Sequence, residues 1–185
     1  MIITVTGKPC SGKGTVCKLI SNKYNFEYIS TGDMFRELAA QNSQDILNFQ
    51  KNDNIKTIDN MIDSKIVNIG KTRLEENIII DSRLAWHFIP ESFKVFIDVS
   101  LDVASERLLN ATRDIESAKT QNEAMELLCD RWTLENDRYL DLYGVTNLDP
   151  SQYDLVVCSD DMSPEEVSNE IYSKYLDFTK NKHSN

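Results

Sequence analysis

The sequence predicts an α/β domain built on a parallel sheet with helices on both faces, and three observations carry that prediction. Five short, apolar, β-rich runs recur along the chain: IITVT (2–6), FEYIS (26–30), NIIID (77–81), FKVFIDV (93–99) and YDLVVCS (153–159). Segments of helical periodicity separate them, and strands alternating with helices build a parallel sheet. The residues suited to chemistry follow the strands, at the carboxyl edge where open α/β sheets bind ligands.

The elements can be justified in order. After the first run comes GKPCSGKGT (7–15), which holds three of the six glycines of the chain. It fits the phosphate-binding P-loop pattern, except that a glycine stands between the lysine and the hydroxyl residue. Glycines let the backbone curl so that successive N–H groups face one anion, and a helix over 13–23 would add its N-terminus. The second run leads into Ser30-Thr31-Gly32-Asp33 and a helix over 33–41, followed by another over 57–70. The third ends in Asp81-Ser82-Arg83, and the fourth is followed by helical patterns over 101–112 and about 120–142. After the fifth, SPEEV (163–167) has Ser163 as cap, Pro164 at the first helical position and Glu166 three residues on, predicting a closing helix over 164–180.

Composition excludes several classes. With 185 residues, 41% hydrophobic and 27% charged, the chain suits one compact domain. A net charge of −10 argues against nucleic-acid or anionic-membrane surfaces, which demand a basic face. No apolar run approaches the ~20 residues of a membrane span. Cys10, Cys17, Cys129 and Cys158 form no CxxC pair and no basic-then-apolar leader opens the sequence, so a reduced, cytoplasmic setting is expected. His87 and His183 lack a partner at metal-ligand spacing, which argues against a zinc site.

Each candidate residue has a chemical reading beside a plainer one. In the loop, nucleotide phosphates would sit on the N–H groups, Lys13 would neutralise charge near the β and γ phosphates, and the Thr15 hydroxyl would reach Mg²⁺. Asp81, ending an apolar strand, suits a carboxylate that holds Mg²⁺ or its water ligands, or else a helix cap. Arg83 and Arg36 could grip a second phosphate bidentately, or serve as surface arginines. Arg107, Arg113, Arg131 and Arg138 stand among acidic neighbours, where most arginines only solvate a face. Trp86, Trp132 and Tyr139 read as packing residues rather than base platforms. Cys10, among cradle N–H groups near a helix N-terminus and Lys13, either favours the thiolate or is a small residue that fits. A GTPase would want DxxG and NKxD, and a transport ATPase an LSGGQ-type signature. The chain has DSRL, NKYN and NKHSN instead, which leaves a small-molecule kinase.

GKPCSGKGT followed by YISTGDMFRELA resembles the nucleoside monophosphate kinases, whose loop reads GxPGxGKGT and whose next motif is STGD, two hydrophobic residues and Arg. IDNMID (58–63), IIIDSRLAW (78–86), RYLDLYGV (138–145) and DPSQYDLVV (149–157) are similar to the IDxxID, EGRLxGW, RYxxxYGID and DLSxYDLVI stretches of the archaeal-type cytidylate kinases. The resemblance spans nearly the whole chain. It implies a P-loop kinase fold, with a five-stranded parallel sheet in the order 2-3-1-4-5, an NMP-binding helical region within 31–70 and a helical lid over about 107–142. It further implies ATP-dependent phosphoryl transfer to a nucleoside monophosphate, CMP or dCMP first, with Mg²⁺.

By the same resemblance, ATP would be held by Gly7, Lys8, Pro9, Cys10, Ser11, Gly12, Lys13, Gly14 and Thr15, with Arg107. The acceptor nucleotide would be held by Thr31, Arg36 and Arg83, and Arg131 and Arg138 would clamp the transferring group beside Lys13. Thr15 and Asp81 would serve the metal. Neither nucleic acid nor membrane is an expected partner, and the protein would be a monomer or weak homo-oligomer. Four departures from the family pattern stand out. Cys10 replaces a loop glycine, DSRL replaces EGRL, and Ala111 and Asn136 stand where lid arginines are expected, with Arg113 near the first loss. Adenylate kinase, favoured by STGDM, and a nucleotide-binding protein with little turnover remain the other readings.

Overall fold

The computed structural model describes residues 1–41, 55–110 and 118–183. Five parallel strands form one sheet: β1 (Ile2–Gly7), β2 (Glu27–Ser30), β3 (Ile78–Asp81), β4 (Phe93–Asp98) and β5 (Leu155–Cys158), in the order β2-β3-β1-β4-β5. This is the order that the resemblance implies. Seven α-helices are described: α1 (Lys13–Tyr24), α2 (Thr31–Gln41), α3 (Ile55–Thr72), α4 (Ala85–Phe88), α5 (Leu101–Leu109), α6 (Gln121–Tyr143) and α7 (Pro164–His183).

Side chains alternate across the strands and build a core on each face. Ile3, Val5, Ile79, Val95 and Ile97 pack with Val16 and Ile20 of α1 and with Val167 and Ile171 of α7. Ile2, Ile78 and Ile80 pack with Ile66 and Ile69 of α3 and with Ala85 and Ile89 around α4. The polar residues of the central strand are paired: Thr4 Oγ1 lies 2.9 Å from Ser92 Oγ, and Thr6 Oγ1 donates to the Ser82 carbonyl at 2.9 Å. The expected capping box opens α7, with Ser163 Oγ accepting from Glu166 N at 3.2 Å and Glu166 Oε2 accepting from Ser163 N at 2.8 Å.

Several boundaries differ from the sequence reading. The pattern over 101–112 yields a helix that ends at Leu109, where Asn110 caps it by donating its N–H to the Glu106 carbonyl. Ala111, Arg113 and the rest of 111–117 lie outside the described residues, as do 42–54 of the expected NMP-binding region. The fifth strand begins two residues later than its apolar run, because Tyr153 closes a 3₁₀ turn over Pro150–Gln152 and turns into the core.

Register fixes what stands side by side at the carboxyl edge. Asp81 is level with Ser30 of β2 and with Val5 of β1, while Gly7 is level with Ile97 of β4 and Asp98 with Cys158 of β5. The loop after β1 therefore emerges between the ends of β3 and β4.

Candidate active site

The glycine loop is shaped by its neighbours. At Gly7, β4 passes so closely that a Cβ would stand 2.2 Å from the Ile97 carbonyl oxygen, so no side chain fits. Farther along, Cys10 and Gly12 both adopt left-handed backbone, with φ of 60° and 84°. Cys10 occupies the conformation for which the family pattern has glycine, a strained choice for a side-chain-bearing residue. Gly12 precedes α1 with no side-chain cap, which leaves the first N–H groups of the helix to an external acceptor. Ser11 Oγ is buried with no hydrogen-bond partner among the described residues, turned under the loop toward Gly7.

Lys13 opens α1 beneath this loop. Burial pushes its ammonium down to about 8, the Arg83 guanidinium acts the same way, and Asp81, Glu135 and Cys17 oppose them. The side chain is therefore charged at neutral pH but held where an anion would stabilise it. Asp81 faces the same loop: its Oδ2 lies 3.3 Å from where a Cβ on Gly14 would stand, and it accepts from Tyr28 OH at 3.4 Å. Thr15 is exposed one residue on. The Thr15 hydroxyl and the Asp81 carboxylate are both hard oxygen donors, and the approach of Asp81 to the loop suits a magnesium ion shared with phosphates.

Arg83 is fixed from two sides. Its Nη1 donates to the Gly7 carbonyl at 2.5 Å, and its Nε lies 3.1 Å from Glu135 Oε2. Glu135 Oε1 in turn accepts from Arg131 Nε at 3.1 Å. One carboxylate of α6 thus bridges an arginine of its own helix and the arginine after β3. Arg138, one turn farther along α6, pairs instead with Asp59 of α3 at 3.8 Å and stacks over the Tyr139 ring. Asp63, one turn from Asp59, accepts from Tyr143 OH, and burial raises both carboxyls above their ordinary range.

The other expected residues divide by side of the loop. On the β4–β5 side, Arg107 donates to the Cys10 carbonyl at 3.3 Å, to Ser159 Oγ at 3.0 Å and to the Ser159 carbonyl at 2.6 Å. Lys8 directs its ammonium away from the cradle to Asp98, at 2.7 Å. Pro9 and Lys8 form one wall of a small, largely apolar cavity of about 170 Å³ closed by Trp132 and Leu128. On the β2–β3 side, Thr31 Oγ1 reaches the Asp81 carbonyl at 3.4 Å, and Arg36 pairs with Asp33 at an exposed position.

Two departures acquire a physical account. Ser82, standing where the family pattern has glycine, accepts from Leu84 N at 3.3 Å and Ala85 N at 3.2 Å and so holds the N–H groups at the start of α4. Asn136 is buried and bonded within the fold, taking no part in the charged cluster. Trp86 and Tyr139 are buried as the packing reading expected, with Trp86 against Tyr153 at 5.6 Å and donating to Asn147 Oδ1 at 2.9 Å. Cys10 is half-buried, whereas Cys129 and Cys158 are exposed.

Sequence reasoning missed Glu135 and Asp59. Their linear signals are the four-residue spacing from Arg131 to Glu135 and, for Asp59, the four-residue spacing from Asp63 within the IDNMID stretch, to which the sequence alone attaches no role. Their partners Arg83 and Arg138 lie on other elements. Among the described residues no helix is long and apolar enough to cross a membrane, and no group of three or more His, Cys, Asp or Glu residues is placed to hold a metal by itself.

Comparison with known proteins places this geometry. The profile of one family, described as an AAA domain, matches residues 6–125. The chain is 36% identical over 183 residues to a cytidylate kinase of Sulfurisphaera tokodaii, covering 96% of each. It is also 36% identical over 179 residues to an S-adenosylmethionine-dependent nucleotide dehydratase of Lacinutrix mariniflava, covering 94% of this chain but 35% of that protein. Among solved structures, shikimate kinase from Aquifex aeolicus superposes with a TM-score of 0.60 at 20% identity, covering 95% of this chain and 96% of that one. At that identity the likeness concerns the fold.

Proposed function

The chain belongs to the family of P-loop kinases that includes the archaeal cytidylate kinases, and from that premise we propose that it transfers the γ-phosphoryl group of ATP to a nucleoside monophosphate, CMP or dCMP first. The observation that carries the reading is convergence. The uncapped α1 N-terminus, Lys13, Asp81 and the Arg83–Glu135–Arg131 cluster meet at one edge of the sheet. The cytidine preference is supported by the names of the relatives and by the DSRLAW and SQYDLVV stretches.

In the reaction, an oxygen of the acceptor phosphate attacks the γ phosphorus in line. The new P–O bond forms as the bond to the β–γ bridging oxygen breaks, and ADP leaves. A phosphate monoester is largely ionised at pH 7, so no strong general base is required. The work of the protein is positioning and charge neutralisation. The N–H groups from Gly12 to Thr15, at the start of α1, hold the donor phosphates, with Arg107 bracing the loop at the Cys10 carbonyl from its anchor on Ser159. Lys13 follows the charge that moves onto the leaving oxygen. Arg83 takes the acceptor phosphate while Thr31 and Arg36 approach the acceptor nucleotide, and Arg131 and Arg138 of the helical lid close on the transferring group. Thr15 and Asp81 would hold Mg²⁺, which supplies charge neutralisation between the donor phosphates.

Incubation with Mg-ATP and CMP, followed by ³¹P spectroscopy, tests the reading: CDP and ADP should appear in equal amounts. A second reading, nucleotide binding with little turnover, is favoured by the burial of Asn136 where the family pattern has a lid arginine. ATP binding without any nucleoside diphosphate formed from CMP, dCMP, UMP or AMP would select it.

A further inference from the structure

Glu135 lies at the centre of the cationic site, yet neither donor nor acceptor phosphates have a use for a carboxylate there. Its two oxygens are divided, Oε2 lying 3.1 Å from Arg83 Nε and Oε1 3.1 Å from Arg131 Nε. The Glu135 and Arg83 side chains are largely enclosed, at 16% and 18% exposure, so the pair is far less screened than a surface ion pair. The Arg83 guanidinium is hydrogen-bonded through Nη1 to the Gly7 carbonyl and ion-paired through Nε to Glu135 Oε2, a buried oxygen that makes no hydrogen bond among the described residues. Its orientation is then set by the loop on one side and by α6 on the other.

We propose that Glu135 is the positioning residue of the acceptor-phosphate site: it sets the guanidiniums of Arg83 and Arg131 on a common target and ties helix α6 to the loop after β3. The proposal rests on the phosphotransfer reading and deepens it. A carboxylate in that place has two opposed effects. It fixes the direction of two flexible cations, which serves a transition state that needs them within a fraction of an ångström. It also competes with the incoming phosphate for the same cations, which weakens ground-state binding. Removing the charge while keeping the shape should therefore separate affinity from turnover, and damage to the fold would lower both together.

The test compares the full-length wild type with Glu135→Gln and Glu135→Asp, by calorimetric titration with CMP and by steady-state turnover with Mg-ATP and CMP. Glu135→Gln should bind CMP at least about 2-fold more tightly while kcat falls at least about 10-fold. Glu135→Asp keeps the charge but is one methylene too short to span both arginines, so its kcat should also fall by about 10-fold, with CMP affinity within about 2-fold of wild type. Turnover of either variant within about 2-fold of wild type would overturn the proposal, as would a joint loss of affinity and turnover in both. If the wild-type chain forms no diphosphate from any monophosphate, the phosphotransfer reading fails and the proposal goes with it. An active wild type with an unaffected Glu135→Gln variant removes the proposal alone.

Discussion

Asn136 Oδ1 accepts a hydrogen bond from Asn147 N at 2.7 Å, so a side chain of helix α6 fastens the loop that follows the helix. Asn136 Nδ2 also donates to the Trp132 carbonyl, and Asn147 Oδ1 accepts from both Trp86 Nε1 and Tyr153 OH. The position therefore belongs to a buried network that joins α6, the 145–148 loop, Trp86 of α4 and Tyr153 ahead of β5. Asn136→Ala should cost about 2 kcal/mol, because it strands the Asn147 N–H, and lower Tm by about 4–8 °C. Asn136→Arg should not raise kcat, because a guanidinium there replaces this network instead of joining the site. Thermal unfolding and turnover of the two variants check both statements.

Gly7 sets the course of the phosphate loop. A methyl group there would stand 2.2 Å from the Ile97 oxygen, at the last pair of the β1–β4 register. Gly7→Ala should destabilise the fold by at least about 3 kcal/mol, at the upper end of overpacking costs. Gly14→Ala, whose added carbon would meet Asp81 Oδ2 at 3.3 Å, should be milder in stability and show its cost in Mg-ATP binding. Denaturant titrations with and without nucleotide separate the two effects.

Asp63 offers a pH-dependent prediction. Burial raises its carboxyl pKa and the neighbouring Asp59 acts the same way, while the Tyr143 hydrogen bond and Arg138 oppose them. A carboxyl raised in the folded state is penalised when ionised. That penalty is full above the folded pKa, fades as pH falls through it, and is gone below the unfolded value. Asp63→Asn keeps an acceptor for Tyr143 and should raise Tm at pH 7. The gain should shrink as pH falls toward about 4. A gain independent of pH would contradict the assignment to ionisation.

Much of the fold and part of the site can be read from the linear sequence, for local reasons. The strand-loop-helix unit is written in consecutive residues, since glycine spacing, Lys13 and the preceding apolar run all belong to one short segment. The α7 start is equally local, because its capping box is complete within Ser163–Glu166. By contrast, α4 has four residues, too few for a periodic signal, and the N–H groups at its start are held by Ser82, at a position where the family pattern leads one to expect glycine. Glu135 is hidden for a different reason: its significance comes from Arg83, which tertiary packing alone brings within 3.1 Å. Lys8 shows the same limit, since only the end of β4 reveals that Asp98 draws its ammonium aside.

Lys13 and Arg83 should fail differently when truncated. Lys13→Ala removes charge that the transition state needs and should cut kcat by at least about 100-fold, or about 2.7 kcal/mol, with Tm close to wild type. Arg83→Ala should weaken every monophosphate by a similar factor, because it reads phosphate and not base. Parallel titrations with CMP, UMP and AMP check this, and a change in base preference would count against the assignment.

The account rests most directly on which monophosphate the site accepts. A pocket that hydrogen-bonds cytosine must offer acceptors to the 4-amino group and donors to the ring carbonyl, and buried polar pairing of that kind can discriminate by more than about 10⁴. The decisive measurement is kcat/KM for CMP, dCMP, UMP and AMP at saturating Mg-ATP in one coupled assay. CMP or dCMP should exceed AMP by at least about 100-fold, equivalent to about 2.7 kcal/mol of transition-state discrimination. If AMP is the best acceptor, the cytidylate reading is wrong and adenylate kinase takes its place.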